Sequence, residues 1–139
     1  MNLIEHNRAL RELRQEYYNR ARRLVSGYLE EHNPIKVGDI VEDHYKRIRV
    51  EGWKVYYAKY EMQGIGGYIL YRGTRLTRGG DKMKRGASDN EMYAFNIEAI
   101  NGESVDIKKI FGCTDADYEI VVKEMEEKLA EMRAASTLI

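Results

Sequence analysis

The chain has 139 residues, 43% hydrophobic and 33% charged, a composition that supports a folded core and excludes an intrinsically disordered chain. Its charges cancel, 23 basic against 23 acidic, so net charge supplies no general attraction to nucleic acid or anionic membrane. One cysteine, Cys113, excludes an intramolecular disulfide framework, and no apolar run reaches the roughly 18 residues of a membrane-spanning helix.

Residues 1–33 predict an amphipathic helix. Asn2 and Glu5 have the spacing of a capping box. Leu3, Leu10, Tyr17 and Leu24 recur every seven residues, with Leu13, Ala21, Val25 and Tyr28 between them. Pro34 ends the helix, because the residue before proline is pushed out of the helical region. The stripe is wider than one helix on a small domain normally buries. It is therefore expected either to be covered by the second terminal helix or to pair with a second copy of the chain in a homodimer.

Residues 34–111 predict β-structure. Ile35 to Glu42 alternates around Gly38-Asp39. Ile48–Val50 and Trp53–Met62 read as strands bent at Gly52, and Tyr68–Leu76 follows. Met92 to Ile100 alternates again, with Tyr93, Phe95, Ile97 and Ala99 on one side. Asn101-Gly102 gives a two-residue turn, and Val105, Ile107 and Lys109 return on the partner strand. Residues 112–139 predict a second helix. Thr114 and Asp117 cap it, acids fill its first turn, and Tyr118, Val122, Met125, Leu129 and Met132 form its apolar stripe. The whole is expected to fold as one domain of the α+β class, a five-stranded bent antiparallel sheet or barrel flanked by an N-terminal and a C-terminal helix.

Lys36-Val37-Gly38-Asp39-Ile40-Val41 resembles the first strand of SH3-like small barrels, including the KOW type. The resemblance implies a strongly bent sheet and carries over no binding residues.

Charge is uneven along the chain. Lys46 to Arg85 holds 11 basic and 3 acidic residues, whereas residues 112–139 hold 3 basic and 7 acidic. The basic segment interleaves with tyrosines, of which the chain has 11 against 2 Phe and 1 Trp. Cations beside flat rings suit a contact surface. Lys54, Tyr57, Tyr60, Arg72, Arg75, Arg78, Lys82, Lys84 and Arg85 are the candidate partner-binding residues. The last four lie in or beside Arg78–Asn90, a 13-residue stretch without apolar periodicity that could clamp phosphate or an acidic partner. Strand alternation leaves open whether Trp53/Val55/Tyr57 or Tyr56/Ala58/Tyr60 points inward. The turn Gln63-Gly64-Ile65-Gly66-Gly67 reads as a hairpin rather than an anion cradle, since it matches neither a phosphate loop nor a dinucleotide fingerprint.

No catalytic constellation stands out. His6, His32 and His44 are scattered, and none has metal-ligand spacing with Cys113. Asp43 and His44 are adjacent and would face opposite ways in a strand. The expectation is a non-enzymatic interaction or adaptor module, with no metal and no cofactor. It would bind an acidic protein surface or, as the alternative, nucleic acid, and would make no membrane contact. The first 14 residues mix charge with Leu and Ile and hold no signal-peptide core, giving the expectation of a cytoplasmic protein.

Overall fold

The structure is a computed structural model and describes residues 1–58, 65–77, 79 and 90–137. Helix α1 (Leu3–His32) opens with the expected capping box: the Asn2 side chain accepts from the Glu5 N–H, and the Glu5 carboxylate accepts from the Asn2 N–H. It ends one residue before Pro34, at Asn33. Strands β1 (Ile40–Glu42), β2 (Arg47–Tyr57), β3 (Gly67–Leu76) and β4 (Glu91–Tyr93) follow, then a 3₁₀ turn (Ala94–Asn96). Strands β5 (Ala99–Ile100) and β6 (Glu103–Ser104) precede a one-turn helix α2 (Ile107–Ile110) and helix α3 (Asp115–Thr137).

The six strands form one antiparallel sheet in the order β4-β3-β2-β1-β5-β6. β2 and β3 are the long central hairpin, running in register from Arg47/Leu76 to Tyr57/Gly67 with a bulge between Val50 and Gly52. The bulge sits where the sequence placed a bend. The sheet is strongly curved, and chain length dictates this. Four strand spacings of about 4.8 Å separate β4 from β5, yet only residues 94–98 connect them. Three of those are in a 3₁₀ turn that rises about 2 Å per residue, so the connection cannot cross a flat sheet.

Four expectations require correction. Among the described residues the sheet has six strands rather than five, and it is not closed into a barrel: β4 and β6 end it and do not pair with each other. The segment Met92–Ile100 is not one strand. Its alternation runs through β4 on one edge and β5 beside β1, with the 3₁₀ turn between. The return strand through Ile107 and Lys109 is instead helix α2, because the Asp106 carboxylate accepts from the Lys109 N–H at 3.3 Å and caps a helix start. The tight turn itself is as expected, with Asn101 and Gly102 both at positive φ. The Val37-Gly38-Asp39 stretch is a turn leading into β1 rather than part of a strand. Gly38 has φ +95°, and the Asp39 carboxylate accepts from the Lys36 N–H.

The core lies between the concave side of the sheet and the C-terminal third of α1. Val25 and Leu29 of α1 meet Ile48, Val50, Ile69 and Tyr71, with Met92, Ile107 and Phe111 closing the edges. α1 can approach because Gly67 has no side chain: a Cβ there would strike the Tyr56 carbonyl and come within 2.6 Å of Val25. Polar ties fix the approach. The Tyr28 hydroxyl donates to the Phe111 carbonyl at 2.6 Å, the Tyr71 hydroxyl to Asn33 Oδ1, and the Trp53 indole to the Glu30 carboxylate. Neither terminal helix covers the other. Beyond its first turns α3 stands out from the body: residues 123–136 are all exposed. No described helix is long and apolar enough to cross a membrane.

Candidate functional site

The β2–β3 register settles which strand face is inward. Trp53 pairs with Tyr71 and Val55 with Ile69, and these residues belong to the core side. Lys54 and Tyr56 therefore project from the opposite face, opposite Leu70 and Tyr68. β4 extends that face, placing Tyr93 opposite Leu70 and Glu91 opposite Arg72. The 3₁₀ turn then brings Phe95 over the same edge.

The result is a row of four touching rings. Tyr56 and Tyr68 stack with centroids 5.2 Å apart. Tyr68 meets Tyr93 at 5.5 Å and Phe95 at 6.0 Å, both edge-on, and Tyr93 stacks on Phe95 at 5.1 Å. These are the offset and edge-to-face arrangements that aromatic quadrupoles favour. Leu70 is buried beneath the row, and Tyr93 is its most open member at 42% exposure. The Lys54 ammonium sits 5.2 Å from the Tyr56 ring centroid, a cation–π contact at the row's end.

Beside the rings the bulge opens a depression of about 400 Å³ lined by Glu51, Gly52, Trp53, Lys54, Leu70 and Arg72. Bulges commonly re-aim side chains in this way. Its charges are mostly matched. The Arg72 guanidinium pairs with Glu91 at 3.1 Å, Arg47 pairs with Glu42 farther along the face, and Thr74 donates to Glu51. Arg49, opposite Thr74, is exposed on the same face.

Of the residues singled out by sequence, Lys54 and Arg72 come together here. Tyr57 lies on the α1 side, where its ring meets Tyr18 edge-on at 5.4 Å. Arg75 is opposite Ile48, farther along β3 on the core side of the pairing. Tyr60, Arg78, Lys82, Lys84 and Arg85 lie outside the described residues, as do Gln63 and Gly64 of the glycine turn. The sequence reading missed Tyr93 and Phe95 as site residues. Their signal is two aromatics on one side of an alternating stretch, and the alternation alone does not say which side faces out.

The other candidate groups are occupied structurally. The Asp43 carboxylate accepts from the Tyr45 and Lys46 N–H groups at 2.8 Å, holding the β1–β2 turn, while His44 packs edge-on against Tyr45. His32 stacks on Tyr28 and contacts its carbonyl. Cys113 is buried, and burial pushes its thiol pKa up despite nearby Lys108, so the thiolate is disfavoured. Among the described residues no cluster of His, Cys, Asp or Glu could hold a metal ion.

No protein-family model, no curated protein and no solved structure matches the chain. The functional reading therefore rests on the ring face alone.

Proposed function

We propose that this chain is a non-enzymatic interaction module whose outer sheet face, the row Tyr56–Tyr68–Tyr93–Phe95 with Lys54 at its end, binds an acidic protein surface. The observation that carries the reading is the gathering of four rings from three separate segments on one solvent-facing side of the sheet. Stacked tyrosines over a buried Leu70 offer a rigid contact area that loses little side-chain entropy on binding, the property that makes tyrosine and tryptophan recurrent interface anchors. Lys54 and Arg49, which form no ion pair among the described residues, bias the rim toward an acidic partner. A protein partner is favoured over nucleic acid because Arg47 and Arg72, which would have tracked phosphates, are held by carboxylates. The sharp curvature and the antiparallel strand order from β4 to β5 support an SH3-like fold for this platform. The lone buried thiol suits a cytoplasmic setting.

The test compares affinity capture by the wild-type chain and by Tyr93→Ala and Lys54→Glu variants. In parallel, anisotropy titrations with single-stranded DNA and RNA are run at two salt concentrations. The reading expects a protein retained by wild type and lost by both variants, with no nucleic-acid binding at either salt. Nucleic-acid binding that depends on Tyr93 would replace it with the alternative. Capture indifferent to both substitutions would leave the ring row a purely structural feature.

A further inference from the structure

α1 carries two apolar faces. Val25 and Leu29 point to the sheet, and the stripe of Leu3, Leu10, Leu13, Tyr17 and Leu24 is centred about 100° around the helix from them. The stripe is largely open, with Leu13 62%, Tyr17 73% and Leu24 76% exposed. α3 carries a second stripe, Tyr118, Val122, Met125, Leu129 and Met132, and three of its members are at least half exposed or close to it: Met125 61%, Leu129 49% and Met132 59%. The two stripes converge on a cleft of about 540 Å³, where Leu24, Val25 and Tyr28 face Asp117, Tyr118 and Val121. Farther out the two stripes are exposed among the described residues. Solvated apolar stripes on two long helices mark an interaction surface.

Charge identifies the occupant. Residues 3–23 of α1 hold six basic and three acidic residues, whereas α3 holds three basic and seven acidic. One chain therefore carries both halves of a complementary pair. We infer that two copies of this chain associate by reciprocal exchange of helices, the basic stretch 3–23 of each α1 lying along the partner's acidic α3. A two-fold axis makes both contacts at once, because an isologous interface uses every complementary pair twice. Pairing α1 with a second α1 would instead set two basic helices together. Arg14 and Arg20 border the α1 stripe, and Glu126 borders that of α3. These are the flanking positions that set partner choice in helix pairs. The dimer leaves the ring face of the sheet free, so its failure would not touch the proposed function.

Sedimentation equilibrium of the full chain, between 1 and 100 µM and at two salt concentrations, tests this with two charge-reversed variants. One is Arg14→Glu with Arg20→Glu, the other Glu124→Lys with Glu126→Lys. The wild type is expected to reach twice the chain mass and to weaken as salt rises. Each variant alone should dimerise at least tenfold more weakly. An equimolar mixture should recover a dimer, because the mixed pair sets the reversed α1 against the reversed α3 and leaves the other helix pair native. That recovery also shows that both variants fold. A wild type that stays monomeric to 100 µM overturns the inference, and so does a Glu124→Lys, Glu126→Lys variant that dimerises like wild type, since only α1 would then be engaged.

Discussion

At the scale of single residues, glycines differ by what an added Cβ would meet. Gly67→Ala sets a methyl against the Tyr56 carbonyl and Val25, and Gly73→Ala sets one on the Arg49 carbonyl. Either should cost about 2–4 kcal/mol by overpacking. Gly27, in the C-terminal part of α1 with open space around it, should respond the opposite way. Gly27→Ala gains about 1 kcal/mol of helix propensity, and urea melts of the three variants check both signs. Tyr71 gives a pH test. Its fully buried phenol donates to Asn33, and burial, with Glu30 nearby, raises its pKa well above 10. The raised group leaves stability unchanged below about pH 10. Above that, the unfolded chain ionises while the buried phenol keeps its proton, so stability falls by up to about 1.4 kcal/mol per pH unit. Tyr71→Phe should cost about 1 kcal/mol at neutral pH and flatten this alkaline decline. An unchanged alkaline slope in that variant would contradict the assignment.

At the scale of elements, the caps and turns were legible in the sequence because they depend on neighbours three residues apart. Asn2 with Glu5, Thr114 with Asp117 and Asn101-Gly102 all form as read. What could not be read was where a strand changes neighbours. The alternation of Met92–Ile100 is the same whether the segment stays beside β3 or crosses to β1, and only the sheet's curvature decides. The same ambiguity hid half of the site. Lys54 and Arg72 were visible as cations in a ring-rich stretch, but the row needs Tyr93 and Phe95, which reach it only after the crossover. Ile107 and Lys109 alternate as a strand would, and the Asp106 cap overrides that pattern. The helices also differ in anchorage. β2 and β3 share the core, whereas α3 contributes nothing buried to it. Hydrogen exchange at submicromolar concentration should show strong protection in β2 and β3 and weak protection from Lys123 onward. Strong protection of α3 in that dilute monomer would mean that it packs on the body.

At the scale of the whole molecule, the curved sheet has two sides with separate duties. The inner side holds α1 through Val25, Leu29, Trp53 and Tyr71. The outer side carries the ring row, in which Tyr68 and Phe95 also pack against the core and Tyr93 stands open to solvent. Truncating Tyr93, its most exposed member, should change folding stability by less than about 1 kcal/mol. If the row is the anchor of an interface, the same truncation should weaken binding by about 2 kcal/mol, or roughly thirtyfold. The most direct measurement places a photo-crosslinking amino acid at position 93 in the full-length chain and irradiates it in the cells that make it. A discrete protein adduct at position 93, lost when Lys54→Glu is added and absent when the crosslinker is moved to position 57 on the α1 side, is the predicted result. An adduct to nucleic acid, or equal protein adducts at positions 93 and 57, would contradict the claim that the outer sheet face is a protein-binding surface.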